Sequence, residues 1–395
     1  MSLLAVAPDK SWREFYNRLF PTDKILFYTA VAKFVKVTKL IKLGKRIEKM
    51  QEIELKLTTN QEVINSLKQE LSHFRLLKHY QASSQNCYFD TEDHFFSQQK
   101  MGLRVRNEEG VYTMTLKTAG TTQGGLHMRP EYNVRLSQPQ PDLKLFGQFS
   151  ELTLAHSYAE LQCSLQPIFH TDFQREYYLL ETGNGTQLEI AIDQGEIKVN
   201  NAKTPICEVE FELKSGKVAD MLNFVQHFLF LDGMRLGQVS KAERGYRLAG
   251  VASKAALMTI DEWRQFLEQR FTSTSQQVNA LFQYELKLLK NLEKLDLDRI
   301  SQSQAETTAL IGLFFTLYQY SCEQEALFTQ LLDEESSTEM IEINRFVYQQ
   351  IRKMIAQHVE QQDNQRALQQ LVELTSQGRY LQKMMNLLKI TLKLK

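Results

Sequence analysis

The chain has 395 residues, of which 43% are hydrophobic and 24% charged, as is typical of a globular protein with room for two or three domains. Its formal net charge is zero, which excludes a generally basic surface for nucleic acid. No apolar run reaches the roughly 18 residues that span a bilayer, and the widely spaced cysteines form no zinc-like pattern, which favours a reduced protein of the cytoplasm.

Residues 1–49 differ in charge from the rest of the chain. They hold 11 Lys/Arg against 4 Asp/Glu, and lysines recur every three residues from 33 to 42, a spacing compatible with an amphipathic helix at a membrane surface. Met50 lies directly before the start of a complete domain. We therefore interpret residues 1–49 as a basic, poorly ordered extension or as an upstream start that the cell does not use.

Residues 50–250 are rich in predicted strands. Asn60 is a plausible N-cap for a helix over Gln61–His79, and Gly216 precedes a second helical pattern, Lys217–Leu231. Strands with helices attached at intervals predict an antiparallel α+β barrel. Period-two alternation of apolar and charged residues predicts the strands EIELKL, GLRVR, YTMTLK, PEYNVRL, QLEIAID and CEVEFELK.

Strand patterns almost vanish over residues 258–395. Apolar residues there recur at helical spacing in FQYELKLLKNLEKL, TALIGLFFTLYQY, INRFVYQQIRKMIAQHV and ALQQLVEL. This region is predicted to be an antiparallel α-helical bundle.

The polar faces of the predicted strands carry almost only Glu, Asp, Lys and Arg. On one strand alone such a face would be explained by contact with water. Across the set, the opposite faces are apolar and two amphipathic helices are available to cover them, so we expect the charges to line a barrel lumen. Paired carboxylates suit Mg²⁺ or Mn²⁺, and Arg and Lys suit phosphate oxygens. The lumen is therefore predicted to bind a polyanion together with divalent cations.

The order of the strand motifs makes the interpretation more specific. EIELK after Met50 is followed by MGLRVR, YTMTLK, RPEYNV, FQREYYL, LEIAIDQGEI, CEVEFEL and SKAERGYRL. This series resembles the CYTH superfamily, the triphosphate tunnel metalloenzymes, and in particular bacterial inorganic triphosphatases with a C-terminal helical domain related to CHAD. The resemblance implies an eight-stranded antiparallel tunnel that hydrolyses tripolyphosphate to pyrophosphate and phosphate.

The resemblance also implies roles for individual residues. Lys56 is a candidate for activating water. The implied metal ligands are Glu52, Glu54, Glu208 and Glu210. The implied phosphate-binding residues are Lys56, Arg104, Arg106, Lys117, Arg129, Arg175 and Lys241. Residues that would orient these basic groups are Glu131, Glu189, Asp193 and Glu212.

The helical region matches the CHAD pattern less closely than the barrel matches its family. His358 is the only histidine after residue 250, and residues 258–395 hold 15 Lys/Arg against 18 Asp/Glu. These features favour packing or contact with a partner of unknown identity over recruitment of polyphosphate. Since every candidate site residue lies within 50–250, the sequence predicts a barrel that retains most activity without the helices.

Two alternatives remain at the level of the sequence. The superfamily also includes class IV adenylate cyclases and thiamine triphosphatases, so a nucleotide-directed or thiamine triphosphate-directed enzyme is one alternative. The other is a non-catalytic module that binds polyphosphate. The intact ExExK motif and the second acidic cluster favour an enzyme, since an anion-binding module gains little from metal ligands.

Overall fold

A computed structural model describes residues 51–253 and 255–393. The basic extension predicted for residues 1–49 lies outside these ranges. Among the helices of the described ranges, none combines the length and hydropathy of a membrane-spanning segment.

Ten strands form one sheet, and eight of them close into a barrel. The order around the barrel is β1-β9-β8-β7-β2-β3-β4-β6, and β6 pairs with β1 to close it, which confirms the predicted antiparallel eight-stranded barrel. Short strands β10 and β5 extend the sheet beside β1 and β6. The strands are β1 Gln51–Thr58, β2 Leu76–Thr91, β3 Gly102–Glu108, β4 Val111–Lys117, β5 Thr121–Gln123, β6 Leu126–Leu136, β7 Leu165–Glu181, β8 Gln187–Val199, β9 Ala202–Ser215 and β10 Arg235–Leu236.

Helices accompany the barrel strands and make up most of the chain after them. Those within the barrel half are α1 Gln61–Leu71, α2 Phe95–Gln98, α3 Tyr158–Cys163, α4 Val218–Val225 and α5 Lys241–Leu248. Those that follow are α6 Ile260–Glu268, α7 Thr274–Lys294, α8 Leu297–Ser301, α9 Gln304–Glu323, α10 Ala326–Thr329, α11 Glu334–Gln361, α12 Asn364–Thr375 and α13 Gly378–Lys393. The prediction of helices over this second half is confirmed.

The first predicted helix begins where expected but ends early. The Asn60 side chain accepts a hydrogen bond from the Val63 amide at 3.0 Å, as an N-cap does. The prediction that this helix continues to His79 is wrong, because α1 ends at Leu71 and β2 begins at Leu76. The missing residues belong to one of the two longest strands of the barrel, and this strand pairs with β7 along most of its length.

The second predicted helix is shorter and less regular than expected. The pattern over Lys217–Leu231 corresponds to α4, followed by one 3₁₀ turn at Gln226–Phe228. The prediction of one continuous helix is therefore wrong at its C-terminal end. The apolar stripe that suggested it is nevertheless buried in the core: Met221, Leu222, Val225, Phe228 and Leu229.

One hydrophobic core joins the outer face of the barrel to the helices. It contains Leu55 and Leu57 of β1 together with Phe282 of α7 and Leu388 of α13. The barrel and the helices therefore bury apolar surface against each other, and apolar burial is the main favourable contribution to folding. The charged side chains of the strands lie on the opposite face, towards the lumen.

A smaller apolar cluster lies on the lumen side and involves α5. Tyr246 of α5 packs with Phe169, and a Cβ atom at Gly245 would lie 2.1 Å from the Phe169 ring. Only glycine allows α5 to approach the strand this closely. The cluster consists of Tyr88, Phe169, Phe173, Ile197, Ile206 and Tyr246. It holds Lys241, the first residue of α5, at the edge of the charged part of the lumen.

Candidate active site in the barrel lumen

Strand alternation separates the core-facing from the lumen-facing residues of β1. Leu55 and Leu57 are fully buried in the hydrophobic core, so Glu54 and Lys56 project to the other side of the strand. The ladder with β9 places Lys56 directly opposite Glu210. Residues far apart in the sequence thus meet on one surface inside the barrel.

Three carboxylates of β8 and β9 form a cluster around two cations. Oxygens of Asp193, Glu208 and Glu210 lie within 4.8 Å of one another. The Lys241 ammonium lies 2.7 Å from Asp193 and 2.9 Å from Glu210, and it also donates to Glu208. The Arg175 guanidinium binds Asp193 through two nitrogens and lies 2.7 Å from Glu210. The structure therefore brings together two predicted metal ligands, two predicted phosphate-binding residues and Asp193.

The donor set of this cluster fits a hard divalent cation. Carboxylate oxygens are the ligands that Mg²⁺ and Mn²⁺ prefer. Burial acts to raise the pKa of Glu210, but Lys241 and Arg175 outweigh it and hold the pKa well below its usual range, so the group is ionised. The Oε2 atom of Glu208 is buried and has no hydrogen-bond partner within the described residues. This oxygen is available to coordinate a cation.

The other two predicted metal ligands lie on β1, in a second charged group. Lys117 forms ion pairs with Glu52 and, at 3.0 Å, with Glu131. Arg129 lies 3.6 Å from Glu54. Burial and the neighbouring Glu54 carboxylate hold the pKa of Glu52 well above its usual range. Unlike Glu208 and Glu210, these two glutamates do not belong to the compact carboxylate cluster.

Lys56 lies in the lumen with almost no exposure, at 2%. Its ammonium donates to the Val239 carbonyl and lies 3.9 Å from Glu208 Oε2. The lysine is thus held by the segment that connects β10 to α5, with its charge directed to Glu208 Oε2, which Arg244 also approaches at 3.7 Å.

Three arginines line the lumen, and two of them have a buried donor without a hydrogen-bond partner among the described residues. Arg104 approaches the Tyr88 hydroxyl at 3.5 Å, and Arg106 donates to Asn86 at 3.1 Å. The Nε atoms of Arg104 and Arg129 are buried without a hydrogen-bond partner among the described residues. Buried guanidinium donors without acceptors are costly unless an anion binds them. The arrangement can therefore bind an anion with several oxygens.

Comparison with known proteins identifies this barrel. The CYTH domain pattern matches residues 50–246. An inorganic triphosphatase from Haemophilus influenzae is 36% identical over 352 residues, which cover 87% of this chain and 97% of the relative. The chain belongs to the CYTH family.

Solved structures with some likeness to the CYTH half are more distant. A candidate adenylyl cyclase from Hippeastrum with triphosphatase activity is 19% identical, covers 48% of this chain and 92% of its own, and has a TM-score of 0.36. The Mimivirus capping enzyme triphosphatase is 11% identical, covers 46% and 88%, and has a TM-score of 0.30. These solved structures are only distantly similar, and membership of the family rests on the Haemophilus relative.

Not all predicted supporting residues lie beside the phosphate-binding candidates of the CYTH barrel. Glu189 and Glu212 both bind Lys214, at 3.1 and 2.8 Å. Glu131 does contact Lys117, and Asp193 contacts Arg175. Asp193 is also one of the three clustered carboxylates, a position that sequence alternation alone did not distinguish from a supporting role.

One lumen residue that the sequence patterns above do not single out is His127, which lies on the same face of β6 as Arg129. Its Nε2 atom lies 3.2 Å from the Gly237 carbonyl and its Nδ1 atom 3.1 Å from the Thr122 hydroxyl. Burial lowers the pKa of His127 to about 4, against the opposing effect of Glu54, so the imidazole is neutral near pH 7. The alternation that selected Arg129 would have found His127 two residues earlier.

Proposed function

We propose that the CYTH barrel hydrolyses inorganic tripolyphosphate to pyrophosphate and phosphate with a divalent metal ion, Mg²⁺ or Mn²⁺. The observation that carries this proposal is one lumen in which unsatisfied arginine donors lie near a compact group of carboxylates. A triphosphate with a metal ion satisfies both signs of charge at once. The similarity to a relative named inorganic triphosphatase adds support.

One group of lumen residues would hold the metal ion, and another would bind the phosphate oxygens of the substrate. Glu208 and Glu210 with Asp193, and Glu52 with Glu54, are the residues that would hold metal. A bound metal ion neutralises phosphate charge and lowers the pKa of a coordinated water. The residues that would bind phosphate oxygens are Lys56, Arg104, Arg106, Lys117, Arg129, Arg175 and Lys241.

Hydrolysis forms one bond and breaks another at the terminal phosphorus. Water oxygen attacks phosphorus and loses a proton to the solvent, the bridging P–O bond breaks, and its electron pair leaves with pyrophosphate. We assign Lys56 the catalytic role of orienting and activating this water, because its ammonium lies between the Val239 carbonyl and Glu208. Arg175 is proposed to bind the leaving pyrophosphate. Holding the reactants in this order accounts for much of the rate enhancement that such sites achieve.

Phosphate release measured side by side with tripolyphosphate, ATP and thiamine triphosphate tests the proposal. We expect metal-dependent turnover that is fastest with tripolyphosphate. Faster turnover of ATP or thiamine triphosphate would favour a nucleotide-directed or thiamine-directed enzyme. Binding of tripolyphosphate without release of phosphate at any metal concentration would favour a binding module.

Further parts of the proposal concern the helices and the location of the protein. We propose domain boundaries at 50–250 for the barrel and 258–395 for a CHAD-like helical domain whose main role is packing rather than binding polyphosphate. The four cysteines are all free thiols, which supports a cytoplasmic location.

A further inference from the structure

We infer that Glu293, in helix α7, is a positioning residue for Lys56, and that the helical half of the chain thereby acts on the lumen. The inference rests on the proposed function for the role of Lys56. It adds a residue outside the matched CYTH span, 50–246, to the machinery of the site.

The segment Gly237–Ser240 lies directly on Lys56. The Gly237 amide donates to the Lys56 carbonyl at 2.8 Å, and the Lys56 ammonium donates to the Val239 carbonyl. A Cβ atom at Gly237 would lie 2.9 Å from Lys56 Cε, so the two pack at the limit of contact. Both ends of the lysine, backbone and ammonium, thus depend on this segment.

Helix α7 holds the same segment from the other side. The Glu293 carboxylate accepts the Gln238 amide at 2.9 Å and the Val239 amide at 3.3 Å. The Gln238 side chain, only 6% exposed, donates to the Leu286 carbonyl at 2.8 Å. A carboxylate that accepts two successive amides restrains the backbone between them, because both hydrogen bonds must be kept together.

By holding this segment, Glu293 helps to fix the positions of both Lys56 and Lys241. It fixes the peptide that precedes the Val239 carbonyl, which is the acceptor for Lys56. The next residue, Ser240, caps α5 by accepting the Glu243 amide at 3.1 Å, and this cap places Lys241 at the carboxylate cluster. Loss of Glu293 would free the segment and allow the Lys56 ammonium to leave the position it holds beside Glu208.

A double-mutant cycle on the full-length chain tests this coupling. Tripolyphosphate binding is measured calorimetrically with EDTA present, so that hydrolysis does not contribute, for wild type, Glu293→Ala, Lys56→Met and the double variant. Glu293→Gln, which keeps one acceptor, covers the case in which Glu293→Ala does not fold. The control is Glu262→Gln, a glutamate on α6 that binds Lys287 of α7 away from the segment.

The double-mutant cycle distinguishes a residue that positions Lys56 from one whose effect on binding does not depend on Lys56. If Glu293 positions Lys56, Glu293→Ala weakens binding by about fivefold in the wild-type background and by clearly less in Lys56→Met, where only the effect through Lys241 remains. Equal loss in both backgrounds, or no loss in either, would overturn the inference. Glu262→Gln is expected to bind like wild type.

A second readout does not need a substrate. The Lys56 ammonium gives a ¹⁵N signal that is identified by its absence in Lys56→Met, and this signal is expected to shift in Glu293→Ala but not in Glu262→Gln. If wild type does not bind tripolyphosphate in EDTA, the shift alone decides the positioning role, and the proposed function is decided separately by phosphate release in the presence of metal. An unchanged signal in Glu293→Ala would refute that role whatever the protein binds.

Discussion

At the scale of single residues, the lumen is a set of carboxylates that each contact a lysine or arginine. Glu210 contacts both Lys241 and Arg175, and Glu52 contacts Lys117. A metal ion must therefore be bound in competition with a tethered ammonium. The affinity for the metal ion therefore depends on the charge of each carboxylate, because the competing lysine remains in place.

Neutralising one carboxylate should weaken metal binding without unfolding the barrel. Glu210→Gln and Glu52→Gln keep the side-chain shape, so we expect Mn²⁺ affinity measured by calorimetry to fall by at least about tenfold and turnover to collapse. The control is Glu196→Gln, a glutamate of β8 that forms ion pairs with Lys198 and Lys203. Unchanged Mn²⁺ binding in both test variants would show that the metal assignment is wrong.

His127 makes a prediction about stability and pH. Its pKa in the folded protein is about 4, below the ordinary value near 6.5, so the unfolded chain binds the proton more readily. This difference in pKa contributes on the order of 3 kcal/mol to the free energy of unfolding. The contribution is present above about pH 6.5 and is lost as the pH falls towards 4. In urea denaturation, His127→Gln should lose less stability than wild type between pH 7 and pH 4.5. Equal losses in the two proteins would contradict this role of burial.

At the scale of elements, alternation in the sequence was enough to find six of the barrel strands. Each of these six carries apolar residues on one face and charges on the other, for example Leu55 and Leu57 against Glu54 and Lys56. The carboxylate cluster could be predicted only as a set of strand positions, because its assembly depends on the register between β8 and β9, which pairs Asp193 with Glu208.

The two longest strands, β2 and β7, do not alternate in this way. The lumen side of β2 carries Ser84 and Asn86, and its outer end is exposed, so hydrophobic periodicity gives little signal. For the same reason, the sequence pattern predicts its first residues as the end of a helix. Glu293 could not be found from sequence either, because its contact with Gln238 and Val239 arises from packing of α7 on the barrel.

The packing of α5 on the barrel predicts a cost for one added methyl group. Gly245→Ala would place Cβ within 2.1 Å of the Phe169 ring, so overpacking should reduce the free energy of unfolding by about 1–3 kcal/mol. The matched control is Gly312→Ala in α9, where no atom lies within 4 Å and alanine favours the helix by up to about 1 kcal/mol. Denaturant unfolding of both variants measures the difference. A Gly245→Ala protein as stable as wild type would show that α5 is free to move away from Phe169.

At the scale of the whole molecule, the barrel and the helices are packed as one unit over the described residues from Glu52 onwards. Besides the shared core, the Gly233 amide donates to the Ser376 carbonyl at 2.7 Å, and the Gly378 amide donates to Asp232 at 2.8 Å. Gln123 of β5 donates to Thr391 of α13 at 2.6 Å. From these contacts we expect that the barrel depends on the helices, in contrast to the sequence prediction of a barrel that works alone.

Removal of the helices should therefore destabilise the barrel. A chain that ends at residue 253 would expose the core-facing side of β1 and of α4 to water, and it would lose Glu293. We expect a lower melting temperature by circular dichroism and less than about a tenth of the full-length activity. A truncated protein with the stability and activity of the full chain would instead support the prediction of a barrel that works without the helices.

We propose that the lumen selects a chain of three phosphates. Seven basic side chains face it or its edge, and one phosphate, with at most about two negative charges near neutral pH, cannot offset them. A triphosphate with metal can contact most of them, whereas pyrophosphate is too short. The most direct measurement is kcat/KM for tripolyphosphate, pyrophosphate and ATP at matched free metal. We predict that tripolyphosphate is the best of the three by at least about tenfold; equal or faster turnover of ATP, or a preference for pyrophosphate, would contradict the account.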